Sequence, residues 1–506
     1  MIPVITKEQM RALDAHMINE MHIPSIVLME NAAHGITSVI CEKFSADTRI
    51  VALCGAGNNG GDGFAAARQL MAKGYDVSVF LVGKRANLKG DAAANAAFFG
   101  GDIAEIEDEA QAAAHFTSLS GCVVIDALFG TGLARNVEGL FAAVIELLNS
   151  SGAYVVGCDI PSGIDANTGQ VLGTAVRADE TVTFQHPKPG LLLFPGREYT
   201  GCLTVKEIGI GGGFDLGRTA WADELTLPAR PANAHKGTFG KLACVVSGEG
   251  TAGAGLMCAG GALRAGAGLT TAAVPAGLQH IFNTRIPECM TFALSETDGQ
   301  LGEYAVSGLD KLMDNKTALA AGCGLGTGDG AQSAIRKLVA DYDVRKVFDA
   351  DALTVIAGNT SMLHERSGEI VLTPHLVEFS RLCGCSAEEI SADMMGTARQ
   401  FAGEYGVTLL LKGATTIVTD GSRTTLVTAG TPGMAKGGSG DVLTGVIGGL
   451  LAGAQAYGLD TFGCAVYGAY ICGKAGELAA EKQGEYAMTA TDTLDNIGAA
   501  MKRMTK

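Results

Sequence analysis

Apolar residues recur at helical spacing near the start of the chain, at Met10, Leu13, Met17 and Met21, and predict an amphipathic helix over residues 7 to 22. A more apolar helix is expected from Ile26 to Cys41, with Glu30, Asn31 and His34 as polar positions suited to caps or interhelix hydrogen bonds. The pattern then changes to short, solidly apolar runs. Ile50–Cys54, Val77–Val82, Val123 to Ile125 and Tyr154–Cys158 read as strands buried on both faces, the signature of a parallel sheet. A helix from Phe64 to Lys73, stopped at Gly74, links the first two and completes a right-handed strand–helix–strand unit.

Periodicity weakens between Gly211-Gly212-Gly213 and Pro228-Ala229-Arg230-Pro231, which places a domain boundary near residue 220 and divides 1–220 from 221–506. Beyond it the alternation resumes. A strand is expected from Leu242 to Ser247, then a small-residue helix through Met257 to Arg264, then strands at Leu319 to Ala321, Lys346 to Phe348, Ile370–Leu372 and Leu409 to Leu411. The glycines around that helix (Gly260, Gly261, Gly266) favour close packing over ligand approach. The charge-free run Val442 to Leu459 approaches membrane-span length, but its Gly and Ala content and its place in the alternation predict a buried core helix. The expected class is α/β, in two domains, each a mainly parallel sheet flanked by helices.

Composition narrows the function. A chain of 506 residues has room for two or three domains with sizeable cores. The net charge of −16, from 37 basic and 53 acidic side chains, argues against nucleic acid and anionic membranes as partners. An anionic ligand would therefore be held by local backbone donors, and 71 glycines supply many places for them. The 13 cysteines are scattered, form no metal knuckle and read as small buried residues of a reducing compartment. The N-terminus lacks a basic-then-apolar signal pattern, so a soluble cytoplasmic protein is expected.

Gly55-Ala56-Gly57-Asn58-Asn59-Gly60-Gly61-Asp62-Gly63 formally satisfies G-x-G-x-x-G. An ordinary dinucleotide site also wants an acid about 20 residues on, at the end of the second strand. Here that strand runs into Gly83-Lys84-Arg85, so the loop is not a conventional oxidoreductase fingerprint. Asp126 and Asp159-Ile160-Pro161-Ser162 follow two further strands, and ligands of open parallel sheets bind at strand carboxyl ends. Asn59, Asp126, Asp159 and Ser162 are thus expected on one rim, a set of hard oxygen ligands suited to an alkali or alkaline-earth cation. In the second half, Gly430 to Asp441 puts glycines, Ser439 and an acid directly before the apolar helix. Free N–H groups at a helix start hold phosphate, and Asp441 beside it can take a proton from an attacking hydroxyl. That is a phosphoryl-transfer layout.

Other strand ends add Asp349 and Asp351, which either orient magnesium through water or cap the next helix. His375 follows Thr373-Pro374; against a catalytic role, a helix cap or substrate contact is favoured for it, and of these the contact is preferred. Lys412-Gly413 is a candidate nucleotide contact without the full phosphate-loop pattern. Lys436 either reaches a phosphate or points to solvent.

The Gly-x-Gly-Asn-Asn-Gly-Gly-Asp-Gly loop, Asp126-Ala127-Leu128-Phe129-Gly130-Thr131-Gly132 and Asp159-Ile160-Pro161-Ser162-Gly163-Ile164-Asp165, in that order, resemble the Rossmann-like NAD(P)H-hydrate epimerase domain over about residues 1 to 220. The resemblance implies epimerisation at the hydrated carbon of damaged NADH or NADPH, with potassium (K+) bound nearby. It implies substrate contacts from Asn58, Asn59, Gly60, Gly61 and Asp62 and from Gly130, Thr131, Gly132, Leu133, Ala134, Arg135 and Asn136. Potassium would be held by Asn59, Asp126 and Ser162, and Asp159 would be both substrate contact and acid/base.

Gly324-Leu325-Gly326, Asp349-Ala350-Asp351-Ala352-Leu353, Thr373 to Phe379, Lys412-Gly413-Ala414-Thr415 and Gly433 to Asp441 resemble the ribokinase-like ADP/ATP-dependent NAD(P)H-hydrate dehydratases over about residues 225 to 506. This implies phosphorylation of the hydrate hydroxyl and then loss of phosphate. Asp441 would be the base, with Gly437 to Gly440 stabilising the transferring phosphoryl group. Lys412, Gly413, Ala414, Thr415, Thr416 and Gly440 would hold the adenine nucleotide. Ala254, Gly326, His375 and Asp441 would face the hydrate.

Both halves point to one damaged metabolite, so the expected function is repair of hydrated NADH and NADPH: epimerisation of the R and S hydrates and ADP-dependent dehydration of the S hydrate, with Mg2+ accompanying ADP. A homo-oligomer is expected from resemblance alone. The alternatives are a vitamin-precursor kinase, which needs no N-terminal half, and an N-terminal module that binds without catalysis.

Overall fold

Alternate residues of each buried strand feed opposite faces of a sheet, and the Ile50–Cys54 strand shows the consequence directly. Ile50, Ala52 and Cys54 enter one core, while Val51 and Leu53 enter another. The computed structural model describes residues 1–116, 119–211 and 216–505. It divides into two compact units, Pro3–Gly217 and Arg218–Lys506, the second including Met1–Ile2. Gly212 and Gly213, part of the sequence signal for the boundary, lie outside the described residues.

The first unit is built on a seven-stranded sheet in the order Ile103–Ile106, Val77–Val82, Ile50–Cys54, Val123–Ala127, Tyr154–Cys158, Glu180–Phe184, Cys202–Lys206. Every neighbouring pair is parallel. Helices Lys7–Asn19, Ser25–Lys43 and Asn58–Ala72 cover one face, and Glu109–Phe116 and Leu140–Ser150 the other. Glu30 is bonded across to Arg68 and Gln69 of the Asn58–Ala72 helix, the interhelix bond expected of it, whereas the Asn31 amide donates to Ile208 O at 2.8 Å, outside any helix.

One expectation fails here. The helix starts at Asn58, six residues before Phe64, so most of the glycine loop is the helix's own first turns. The glycines let that turn lie against the strand end: a Cβ on Gly60 would sit 1.8 Å from Gly55 O, and one on Gly55 would sit 2.1 Å from Leu128 O. Gly60→Ala is therefore expected to destabilise this unit by about 1–3 kcal/mol through overpacking against fixed backbone. A lowered urea midpoint would register it.

The second unit holds an eleven-stranded sheet, Ile2–Pro3, Thr219–Trp221, Thr424–Val427, Thr416–Thr419, Thr408–Leu411, Ile370–Leu372, Arg345–Phe348, Ala318–Ala321, Lys241–Val245, Leu269–Pro275, Met290–Leu294. From Thr408–Leu411 to Met290–Leu294 the pairing is parallel; Thr416–Thr419 pairs antiparallel on both sides. The apolar helix runs Ser439–Tyr457, three residues earlier than the charge-free run suggests, which puts Asp441 inside its first turn. Helix Ala252–Arg264 crosses it closely enough that a Cβ on Gly445 would meet Cys258 O at 2.0 Å and one on Gly261 would meet Val442 O at 2.7 Å. The glycines of this pair serve packing. No helix among the described residues is long and apolar enough to cross a membrane. All thirteen cysteines are free thiols.

Candidate active sites

In the first unit the strand order reverses between Ile50–Cys54 and Val123–Ala127, so the segments leaving these strands diverge and open a crevice. Asp126, on the last turn of its strand and fully buried, reaches the loop after the next strand. Ser162 Oγ donates to Asp126 Oδ1 at 2.6 Å, Ser162 N–H donates to Oδ2 at 2.8 Å, and Phe129 N–H donates to Ser162 Oγ at 2.9 Å. Burial still pushes the Asp126 carboxyl up to about 6, against the pull of those donors. Asn59 is buried too. Its Oδ1 would lie 3.0 Å from a Cβ on Gly130, and its Nδ2 is a buried amide nitrogen with no hydrogen-bond partner. Asn59, Asp126 and Ser162 thus meet around Phe129-Gly130. The Asn59 amide oxygen, a buried carboxylate and a hydroxyl form a hard oxygen set, and no cluster of three His, Cys, Asp or Glu side chains occurs among the described residues. The chemistry fits a weakly charged hard cation and not a transition metal.

Asp159 sits at the same rim with φ +66°, a left-handed backbone that an aspartate tolerates better than most residues. Its Oδ1 accepts from Lys188 Nζ at 2.5 Å, Thr183 Oγ1 at 3.0 Å and Phe184 N at 3.2 Å. All three donors converge on one oxygen, Oδ1. Lys188 is fully buried and also donates to Thr183 Oγ1 and Phe184 O. Asp14, from the first helix, is pushed up to about 6 by burial, then by Asp159, with Lys188 opposing. Lys188 and Asp14 were not found from the sequence. Lys188 follows a strand, Glu180–Phe184, on the same edge of the sheet, and the strand-end rule that found Asp126 and Asp159 would have found it. Asp14 gave no signal, because an acid on an amphipathic helix reads as a solvated position.

The two substrate segments differ in exposure. Asn58 is exposed and Asp62 half-buried, whereas Gly60 and Gly61 are buried against Gly55 and Met29. Gly130 to Asn136 form a half-exposed to exposed loop, with Gly132, Ala134, Arg135 and Asn136 at the surface.

In the second unit the order reverses between Lys241–Val245 and Ala318–Ala321. Ala254 opens the helix after the first of these, and a Cβ on Gly324 would lie 3.1 Å from its Cβ, so Ala254 and the Gly322 to Gly328 loop are adjacent. Gly326, at φ +78°, donates its N–H to Asp351 Oδ2 at 2.8 Å. The centre of this site is an ion pair, Lys412 Nζ to Asp349 Oδ1 at 2.8 Å, with Glu378 3.7 Å from the same nitrogen. Asp349 also accepts from Thr444 Oγ1 at 2.7 Å, on the apolar helix. The Lys412 ammonium is the largest influence opposing its burial, and holds its carboxyl below the usual range. Each Asp349 oxygen thus accepts a hydrogen bond, and its side chain does not cap the helix that follows. Gly440 lies over this pair: a Cβ there would be 3.3 Å from Asp349 Oδ2 and 3.4 Å from Lys412 Nζ. Asp441 follows, half-buried, its carboxyl pushed up to about 6 by burial, with a Cys323 thiol hydrogen bond pulling it down, Asp349 raising it and Lys412 lowering it.

His375 is the N-cap of Leu376–Cys383: its Nδ1 accepts from Val377 N–H and Glu378 N–H, and its Nε2 lies 3.5 Å from Glu378. The ring is half-exposed, so capping leaves a face for a ligand. Lys412 N–H donates to Pro374 O at 2.8 Å, tying the two loops together. Gly413 and Ala414 are exposed, Thr415 is buried and Thr416 half-buried. Lys436 takes neither role foreseen for it: its ammonium donates to Tyr486 O at 2.8 Å and to Met488 O, stapling the glycine loop to the turn before the last helix. Thr444 and Cys323 are the residues sequence reading missed here; one is hidden in an apolar helix and the other reads as a core cysteine.

Comparison with known proteins matches residues 25–190 to the YjeF-related protein N-terminus family and residues 243–498 to the NAD(P)H-hydrate dehydratase family. A bifunctional NAD(P)H-hydrate repair enzyme of Moorella thermoacetica is 40% identical over 99% of this chain and 97% of its own length. The corresponding protein of Thermofilum pendens is 36% identical over 98% and 95%. Among solved structures, an ADP/ATP-dependent NAD(P)H-hydrate dehydratase from Bacillus subtilis, co-crystallised with ATP and Mg2+, has 26% identity, covers 55% of this chain and 95% of its own, and gives a TM-score of 0.47.

Proposed function

The chain belongs to the family of bifunctional NAD(P)H-hydrate repair enzymes, and from that premise we propose how each of its two sites acts on the hydrated dinucleotide. The observation that carries the reading is the relationship itself: it runs through both halves of the chain and nearly its full length. The enzyme is an NAD(P)H-hydrate epimerase joined to an NAD(P)H-hydrate dehydratase.

In the dehydratase half, Asp441 takes the proton of the hydrate hydroxyl as its oxygen attacks the terminal phosphoryl group of the nucleotide. The N–H groups at the start of Ser439–Tyr457 face the charge that develops on that phosphoryl group, as a preformed dipole requires. Lys412 to Thr416 and Gly440 border the nucleotide, and Ala254, Gly326 and His375 the hydrate. The phosphate then leaves with the electron pair of its C–O bond while the neighbouring carbon gives up a proton, and the double bond of the reduced nicotinamide is restored. ADP is the donor we propose, with AMP and phosphate as products. Mg2+ would shield the charge of the nucleotide phosphates, with Asp349 and Asp351 the residues placed to orient it through water.

In the epimerase half, Asp159 is the acid/base group, and Asn58, Asp62 and Gly130 to Asn136 border the hydrated nucleotide. Potassium, held by Asn59, Asp126 and Ser162, would neutralise the buried Asp126 carboxylate and brace the Phe129-Gly130 turn. Replacing potassium by a large organic cation is expected to slow epimerisation while leaving dehydration of the S hydrate in place, read by chromatography of the two epimers. A cytoplasmic homo-oligomer acting on small molecules completes the proposal.

The experiment that tests the whole is recovery of reduced-nicotinamide absorbance from a mixed-epimer NADH hydrate on adding protein, magnesium and ADP or ATP. Full recovery with release of inorganic phosphate is the expected result. A stable phosphate ester would move the protein to the kinases. Recovery stalling at the fraction held by one epimer would remove the epimerase.

A further inference from the structure

The epimerase site contains more carboxylates than one acid/base group needs. Asp14, Asp62 and Asp159 come from three different elements; Asp159 raises the carboxyls of the other two, while the Lys188 ammonium, paired with Asp159, opposes it. Asp62 Oδ2 lies 4.0 Å from Cys158 Sγ, so its carboxyl adjoins the residue before Asp159. It is half-buried and stands in the first turns of Asn58–Ala72, after the exposed Asn58. Three carboxylates cannot all be ionised around one cation at low cost. The hydrogen bonds decide which stays charged: Asp159 Oδ1 accepts three donors, one of them Lys188, while among the described residues Asp62 has no donor directed at it beyond the distant thiol.

Resting on the epimerase reading above, we infer that Asp62 is the second catalytic group of that reaction, the proton donor to the departing hydroxyl, with Asp159 as its basic counterpart. The balance closes without any co-reactant. The ring C–O bond breaks with its electron pair on oxygen, Asp62 supplies the proton, and water leaves as the ring nitrogen's lone pair forms the C=N bond. Water then adds to the opposite face, the C=N electrons return to nitrogen, and Asp159 takes the surplus proton. Proton exchange between the two carboxyls, or through solvent, resets the site. Burial is the main reason the Asp62 carboxyl is held well above its ordinary value, with Asp159 and Asp14 adding to it and Lys188 opposing. The remaining titratable groups near it, Cys54 and Cys158, are buried thiols held well above theirs, and so remain neutral bystanders.

The test starts from one purified epimer and the full-length enzyme without ADP, and follows appearance of the other epimer against pH. Asp62→Asn is expected to lower kcat by about 10²–10⁴-fold, the usual contribution of a general acid, with KM changed far less. A group that works protonated loses its function as pH rises through its own pKa, so wild type should show an alkaline decline that Asp62→Asn lacks. Asp62→Glu keeps the acid one methylene out of place, and should retain the decline at reduced rate. The far-ultraviolet circular dichroism and urea midpoint of the same variants, set against wild type, control for folding of the unit that holds Asp62. An Asp62→Asn enzyme of near wild-type rate, or one that keeps the alkaline decline, would overturn the assignment; so would a Glu variant without it. Wild type that fails to accelerate epimerisation at all would instead remove the epimerase reading beneath it.

Discussion

Asp441→Asn should lose ADP-dependent recovery of NADH by about 10²–10⁴-fold, the typical contribution of a positioned general base. The same substitution should make the protein more stable at neutral pH. In the folded state the Asp441 carboxyl is pushed up from 3.8 to about 6, chiefly by burial. Its raised value means the fold prefers the neutral form. Stability from this group is fully present below the unfolded value, is lost as pH rises through about 6, and is absent at neutral pH. An asparagine, always neutral, escapes that penalty, which is worth about 1–3 kcal/mol. A gain in urea midpoint together with loss of turnover would mark Asp441 as a group held charged for chemistry at the expense of stability. The rate has the opposite sign: a base works ionised, so wild-type dehydration should fall as pH drops below about 6. A variant that is inactive but also less stable would point to a structural role.

Lys188→Met should produce the largest stability loss. The ammonium is 0% exposed and its partner Asp159 14% exposed at the side chain, so removing the cation leaves a largely buried carboxylate facing Asp62 and Asp14 with no counter-charge. Breaking one side of such a pair costs about 3–5 kcal/mol. The chain supplies its own control, because its single tryptophan, Trp221, lies in the other compact unit. Circular dichroism should show part of the helix signal lost at lower urea in the variant, while Trp221 fluorescence keeps its midpoint. A midpoint for both signals unchanged from wild type would mean that Lys188 contributes little. Lys188→Arg, which keeps the charge, should recover part of the loss.

Much of this was legible because strand ends and helix starts announce themselves. Apolar runs such as Ile50–Cys54 and Tyr154–Cys158 were bounded to the residue, since no charged side chain interrupts either run. The segments after those strands pointed to Asp126, Ser162, Asp349 and Lys412, because a parallel sheet sends every such segment to one edge. The start of the Asn58 helix was misjudged because glycines and asparagines favour loops in isolation. Only the backbone of Gly55 lying against Gly60 makes a helix of them.

The sequence by itself determined the class of fold, the two-part chain and the rims on which polar residues gather, because these depend on local periodicity and on where glycines and acids interrupt it. Only the tertiary structure decided partners and charge states. It brought Lys188 to Asp159 across 29 positions, Thr444 to Asp349 across 95 and Cys323 to Asp441, and it set Asp14, Asp62, Asp126 and Asp441 in surroundings dry enough to favour their neutral forms. Desolvation and Coulomb energy depend on distance in space and on what lies between two groups, and spacing along the chain carries neither.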